Sequence, residues 1–240
     1  LYGSIYLGYD LFVCPHCGNE SIVPHKCHFK LCTSCGTKEA KLRAAHISSI
    51  ALDAKHRHIV FTISKHLGGY FIKDKSLLNL FFIAARNTLA CVFNDAKYRK
   101  IKKKKIYLKK SKCPYSYKND RNKIVFGSVL TLHTFGRDLK WNPHIHCLVC
   151  EEAFDTKKNK MKNFSFISYE KLRKTWMYKV LDLLSKQELE NFNYLKQRFY
   201  KELVNGFYVY AKKKEKDNDD NNVDDCVNYI TRYTSRPPIA

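Results

Sequence analysis

Apolar positions along this 240-residue chain change rhythm several times, and each change marks an element. Residues 1–13 are aromatic and apolar and lead in from an element that precedes them. At 38–55, KEAKLRAAHISSIALDAK places apolar residues at helical spacing beside a basic flank. HIVFTIS (58–64) is β-branched and aromatic and reads as a buried strand, and KSLLNLFFIAARNTLACVF (75–93) as a core helix. KIVFGSVLTLHTF (123–135) and HIHCLVC (144–150) both read as strands, and the turn-rich GRDLKWNP between them predicts an antiparallel hairpin. Residues 168–204 are amphipathic and helical, NGFYVYAKK (205–213) is a further short strand, and CVNYITRYTSR (226–236) is a short helix stopped by Pro237-Pro238. KKKEKDNDDNNVDD (212–225) is too polar to be anything but a solvated loop.

Composition narrows the class. With 45% hydrophobic residues and 14% aromatics, a core is affordable, and disorder or a small disulfide scaffold is excluded. The length suits one ordinary domain with a small module, or one large α/β domain. No stretch approaches the roughly 20 apolar residues of a bilayer span, so no membrane role is expected. The formal charge of +22 points to a polyanion, most often nucleic acid; a merely soluble Lys-rich surface is the plainer alternative. Ten cysteines with no signal peptide fit a reducing cytoplasm. A start at Leu1 and a stop in Arg-Pro-Pro-Ile-Ala read as the ends of a piece of a longer polypeptide.

Four of those cysteines form two knuckles, Cys14-x-x-Cys17 and Cys32-x-x-Cys35, 14 residues apart and each followed by glycine, Gly18 and Gly36. Zn²⁺ takes four thiolate or imidazole ligands in a tetrahedron, and each knuckle supplies two. A closed four-cysteine site leaves no position for water, so the zinc is structural. The separation is slightly short for this pattern, which leaves Cys27 or His28 open as a replacement ligand. Reduced cysteines in a core are the alternative.

On a strand, residues i and i+2 share a face, so His144 and His146 project together while Ile145 faces the core. Two imidazoles so placed can grip one cation. A second pair, His56 and His58, flanks a charged residue at a strand entrance and is read as structural. Tyr229 and Tyr233 lie one turn apart on one face of the last helix, with Arg232 and Arg236 as a second stripe; packing is the ordinary role of such a stripe.

The combination is more specific than its parts. CPHCG, VPHKC and LCTSCG, then GSVLTLHTFGRDLKWNPHIHCLV, then VNYITRYTSRPPIA, occur in that order. Together they resemble the transposases of the insertion sequence ninety-one family, two-tyrosine members of the HUH (His-hydrophobic-His) single-strand nucleases. The resemblance covers nearly the whole chain, although the family runs on past the tyrosine helix. It implies an α+β chain: an N-terminal zinc-ribbon-like module (1–45) followed by an HUH endonuclease domain (46–240), a central antiparallel sheet with packed helices. It implies a DNA transposase that nicks and rejoins single-stranded DNA at transposon ends in rolling-circle-like transposition. His144 and His146 match the metal-binding pair and Tyr229 and Tyr233 the nucleophiles, with Mg²⁺ or Mn²⁺ as catalytic ion and no organic cofactor. Attack by a tyrosine would give a 5′-phosphotyrosine, and Arg232 and Arg236 would hold phosphates.

HUH sites usually carry a third ligand. His133 on the partner strand is the first candidate, with a plain strand residue as the alternative, and Asp225 and Asn228 are others. Residues 97–123 hold 13 Lys/Arg and one acid, with a run at Lys102, Lys103, Lys104 and Lys105 and four interleaved tyrosines. They form either a single-strand track or a solvated insertion. Trp141, just before His144, either stacks on a base or anchors the turn. A replication initiator or relaxase of the same superfamily, and a non-catalytic zinc-ribbon DNA-binding protein from a decayed element, are the competing functions.

Overall fold

A computed structural model describes residues 5–25, 32–101, 124–136, 138–156, 158–164, 168–211 and 227. The chain divides into two compact units, one of Leu1–Ile50 with Val227–Ala240 and one of Ala51–Cys226.

In the first unit the aromatic lead-in is itself a strand. β1 (Tyr9–Val13) pairs antiparallel with β2 (Glu20–Pro24), Tyr9 opposite Pro24 and Val13 opposite Glu20. α1 spans Thr33–Ile50, five residues earlier than its apolar spacing suggests. Among the described residues of this unit only Ala44 and Val227 are buried. The hairpin leaves Leu11, Phe12, Val13, Ile22 and Val23 exposed.

The second unit is built on an antiparallel sheet. β3 (His56–Thr62), β4 (Ile124–Phe135), β5 (Trp141–Asp155) and β7 (Val209–Ala211) lie in the order β4-β5-β3-β7, and β6 (Lys160–Asn163) pairs with the end of β5. The expected hairpin is present, and β5 runs five residues further than its apolar core. β5 is central because Ile145, Cys147 and Val149, all fully buried, give it an unbroken apolar face. Ile59 and Phe61 of β3, Leu130 and Leu132 of β4, and Val209 and Ala211 of β7 join them on that side.

Helices cover this face: α2 (Gly68–Lys73), α3 (Asn79–Ile101), α4 (Tyr169–Leu184) and α5 (Phe192–Glu202). The core contains Phe71, Phe81, Leu89 and Phe93 from α2 and α3, and Leu172, Trp176 and Leu181 from α4. Trp176 lies 4.9 Å from Phe61, ring to ring, and its Nε1–H donates to the Thr62 carbonyl at 2.6 Å. The segment Lys75–Asn94 does meet the length and hydropathy of a membrane span, contrary to the expectation from sequence. Its apolar residues, Leu77, Phe81, Ala84, Ala85, Leu89 and Phe93 among them, belong to the core, so here it is a core helix. α3 also carries helix to Ile101, into the basic stretch that begins at Lys97; Lys102–Lys105 and the rest of that stretch lie outside the described residues.

The single helical region 168–204 is two helices. Glu188 (φ 48°) and Asn191 (φ 53°) are left-handed, which no continuous helix permits, and the turn they make returns Phe192 and Phe199 to the core. Gly206 (φ 77°) then brings the chain against α4, where a Cβ would lie 2.4 Å from the Arg173 carbonyl oxygen, so no other residue fits.

One ion pair lies in the core. Arg57 and Glu151, on the apolar side of β3 and β5, are both buried, and Arg57 Nε donates to Glu151 Oε1 at 2.9 Å. Removing one partner strands a charge, at about 3–5 kcal/mol, whereas removing both does not. Arg57→Leu and Glu151→Leu should each lower the urea unfolding free energy by about that much, and the double variant should lose less than either single one.

Candidate metal centre

The face of the sheet opposite the helices carries the histidines. His133 of β4 stands directly across from His144 of β5, and His146 follows on the same side. A β-bulge sets this register: between His133/His144 and Phe135/Trp141 the chain advances two residues on β4 and three on β5. Pro143 sits in that bulge, where a residue lacking N–H costs no ladder bond in a central strand.

The ligand nitrogens of His133, His144 and His146 all lie within 4.8 Å of one another. His144 Nδ1–H donates to the Asn142 carbonyl at 2.6 Å, so its Nε2 presents a lone pair. His144 Nε2 and His146 Nε2 are 3.1 Å apart. Two lone pairs at that distance repel unless a proton or a cation lies between them. Neighbouring ligands at about 2.1 Å from one ion would stand about 3 Å apart, so the spacing fits a shared cation. His133, the first third-ligand candidate, lies in this cluster; Asp225 and Asn228 lie outside the described residues.

A fourth imidazole joins the cluster. His58 Nε2 lies 2.9 Å from His146 Nδ1, and the two rings stack at 5.1 Å with 13° between planes. With Nδ1–H of His146 donating to His58, His146 Nε2 is left as the lone pair a metal ligand needs. His58 was read from sequence as structural. Its signal is only its parity on β3, and that points to the site once β3 is known to pair with β5, with Val60 opposite His146. His56, by contrast, hydrogen-bonds the Ala54 carbonyl at 2.8 Å, as a strand-entrance residue does.

Burial holds these rings neutral. It pushes His58 down to about 4. It pushes His133 to about 4, aided by His144 and His58, and His146 to about 2, aided by His133, His58 and His144. His144 is also lowered by burial. Neutral imidazole is the form that binds metal, and no proton need be displaced at pH 7.

In the first unit, Cys14 and Cys17 form the turn between β1 and β2. The Gly18 N–H donates to the Cys14 carbonyl at 2.9 Å, and Gly18 itself is left-handed at φ 67°. The backbone amides of Cys17 and His16 point at the Cys14 thiol and lower its pKa, which favours the thiolate. Cys32 and Cys35 stand at the start of α1, the Gly36 N–H donating to the Cys32 carbonyl at 2.9 Å. The thiol chemistry and the sparse core both suit a metal-stabilised module. Cys27 and His28 lie outside the described residues, as do Tyr229, Arg232, Tyr233 and Arg236. Trp141 is a packed residue, its ring edge-on to Phe135 at 5.6 Å.

Two family descriptions match parts of the chain. The family described as "Transposase zinc-binding domain" matches residues 3–63, and the one described as "Putative transposase" matches 127–240. The chain is 27% identical to the "Transposase for insertion sequence element IS801" of Pseudomonas savastanoi pv. phaseolicola, over 99% of this chain and 53% of that protein. It is 23% identical to "Putative transposase y4qJ" of Sinorhizobium fredii (strain NBRC 101917 / NGR234), over 60% of this chain and 30% of that protein. The chain thus spans about half the length, or less, of these relatives. No solved structure matches. The chain belongs to the IS91 family of transposases.

The histidine cluster makes stability depend on pH. Because the folded-state values lie below the unfolded value of about 6.5, the unfolded chain takes up protons first, and stability present above that pH is lost as pH falls. Without added metal, the urea midpoint should be level above about pH 7 and fall from about pH 6.5 toward pH 4. His58→Asn should make the fall shallower; a midpoint unchanged between those pH values would contradict the burial of neutral rings.

Proposed function

We propose that this IS91-family chain carries the cleavage and strand-transfer machinery of an HUH-type transposase acting on single-stranded DNA. The observation that carries the reading is the convergence of His133, His144 and His146 on one side of a central antiparallel sheet. Three imidazoles, with no carboxylate beside them among the described residues, suit Mn²⁺ better than Mg²⁺, which prefers oxygen ligands. When bound there, the ion would neutralise charge on a non-bridging oxygen of the scissile phosphate.

The chain's own residues supply the rest. His58 and the Asn142 carbonyl fix the tautomers of His146 and His144, so that both Nε2 lone pairs are available. Tyr229 or Tyr233 attacks phosphorus through its phenolic oxygen after losing its proton to a base. A tyrosyl O–P bond forms, the P–O3′ bond breaks, and the 3′-hydroxyl leaves with a proton. One ester replaces another, so rejoining needs no nucleotide triphosphate. A second tyrosine one turn away provides a second exchange, as transfer of a strand requires. Arg232 and Arg236 pair with flanking phosphates, and Lys102–Lys105 add sequence-independent affinity. The transposase relatives support transposition over plasmid replication as the setting. In the first unit, Cys14, Cys17, Cys32 and Cys35 hold a structural zinc.

Incubation of the chain with Mn²⁺ and labelled single-stranded DNA carrying the element's end should leave a denaturant-resistant adduct on the 5′ product. The adduct should vanish in the double variant Tyr229→Phe, Tyr233→Phe and fall at least about 100-fold in His144→Ala. A decayed, purely DNA-binding protein would give none; an adduct indifferent to the tyrosines would overturn the mechanism. Zinc chelation should unfold the first unit and leave the near-ultraviolet signal of Trp176 in place. Loss of both signals together would contradict a zinc role confined to that unit.

A further inference from the structure

A depression of about 220 Å³ is lined by Ile63, Ser64, Gly68, Gly69, Trp141 and Pro143, with exposed Lys65 at its edge. It is tied to the metal centre through the chain itself. Asn142, also on its wall, accepts from His144 through its carbonyl, and Pro143 immediately precedes that histidine. Its walls are largely apolar, from Ile63, Pro143 and the indole. One polar group is conspicuous: Trp141 Nε1–H is buried and has no hydrogen-bond partner among the described residues. A buried donor left unpaired costs about 1–3 kcal/mol, which a bound acceptor would recover. That N–H lies next to Gly68, where a Cβ would be 3.5 Å from Trp141 Cδ1 and 3.9 Å from Nε1. At Gly69 a Cβ would meet nothing within 4 Å. Two successive residues without side chains at the start of α2 thus keep this space open.

We propose that this depression is the seat of one nucleobase of the single strand, next to the phosphate that is cut. The space suits one flat heterocycle. The apolar walls would sandwich its faces, Trp141 Nε1–H, once the indole turns toward the depression, would donate to a ring nitrogen or carbonyl on its edge, and Lys65 would meet the adjoining phosphate. The site would therefore read base identity beside the cleavage point, while the histidines handle only the phosphate. The proposal rests on the nuclease reading for its biological meaning, but its test uses equilibrium binding without metal and does not depend on cleavage.

The probes are twelve-nucleotide single strands of deoxyadenosine, deoxycytidine, thymidine and alternating deoxyguanosine-thymidine, and an abasic strand of equal charge, each followed by fluorescence anisotropy. One base-bearing strand should bind about tenfold tighter than the abasic strand. Gly69→Phe, which fills the space on a backbone that tolerates a side chain, should bring that strand to the abasic level and leave abasic binding unchanged. Gly69→Ala should behave as the parent does. Trp141→Phe, which removes the donor while keeping an aromatic wall, should reduce the preference among bases. Equal binding of all base-bearing and abasic strands, or a base preference that survives Gly69→Phe, would overturn the pocket. Failure of the tyrosine adduct with these preferences intact would instead refute the nuclease reading alone.

Discussion

Four imidazoles brought together on one side of a β-sheet are the constraint around which the second unit is built. Alone, each would be an ordinary half-buried histidine. Together they face one another at hydrogen-bond distances, 2.9 Å between His58 and His146 and 3.1 Å between His146 and His144, with no acid among them in the described cluster. Protonating any one would place a charge among partly desolvated neighbours, so burial and mutual repulsion keep them neutral. Neutral lone pairs converging on a small volume fit a cation. Three features maintain that convergence: the bulge at Pro143, the direct pairing of His133 with His144, and the central place of β5.

The opposite side of the sheet explains why the cluster can be held so firmly. Ile145 and Cys147, the residues alternating with the histidines, are fully buried beneath helices that bring Trp176, Phe81 and Phe71 into one core. A one-residue slip of β5 would drive imidazoles into that core and expose Ile145, so register and site are specified by the same alternation. The first unit follows other physics. Its hairpin leaves apolar side chains exposed, and among its described residues only Ala44 and Val227 are buried. Thiol ligation of a metal, as proposed for Cys14, Cys17, Cys32 and Cys35, would help to hold such a module together.

Much of this was legible in the sequence, and what was missed has definite causes. Alternation around Ile145 gave the hairpin, the paired histidines and the face they share, and the spacing of apolar residues gave the core helices. β1 was missed because both its faces are exposed and it therefore lacks the alternation that marks a strand. The break between α4 and α5 was missed because left-handed Glu188 and Asn191 carry no glycine or proline to announce it. His58 was missed for a different reason. Its role arises from the pairing of β3 with β5 across 88 residues of chain, and sequence periodicity reports the face of a strand but not its neighbour. The apolar run of α3 looks like a membrane span by composition, and only its packing against the sheet identifies it as core.

If His133, His144 and His146 hold a cation, crystals of the chain soaked in Mn²⁺ and measured at the manganese absorption edge will locate it there. An anomalous peak within bonding distance of nitrogens from His133, His144 and His146, with His58 against the far nitrogen of His146, is the result expected. A fully occupied manganese bound elsewhere, with the four rings still hydrogen-bonded to one another, would contradict it.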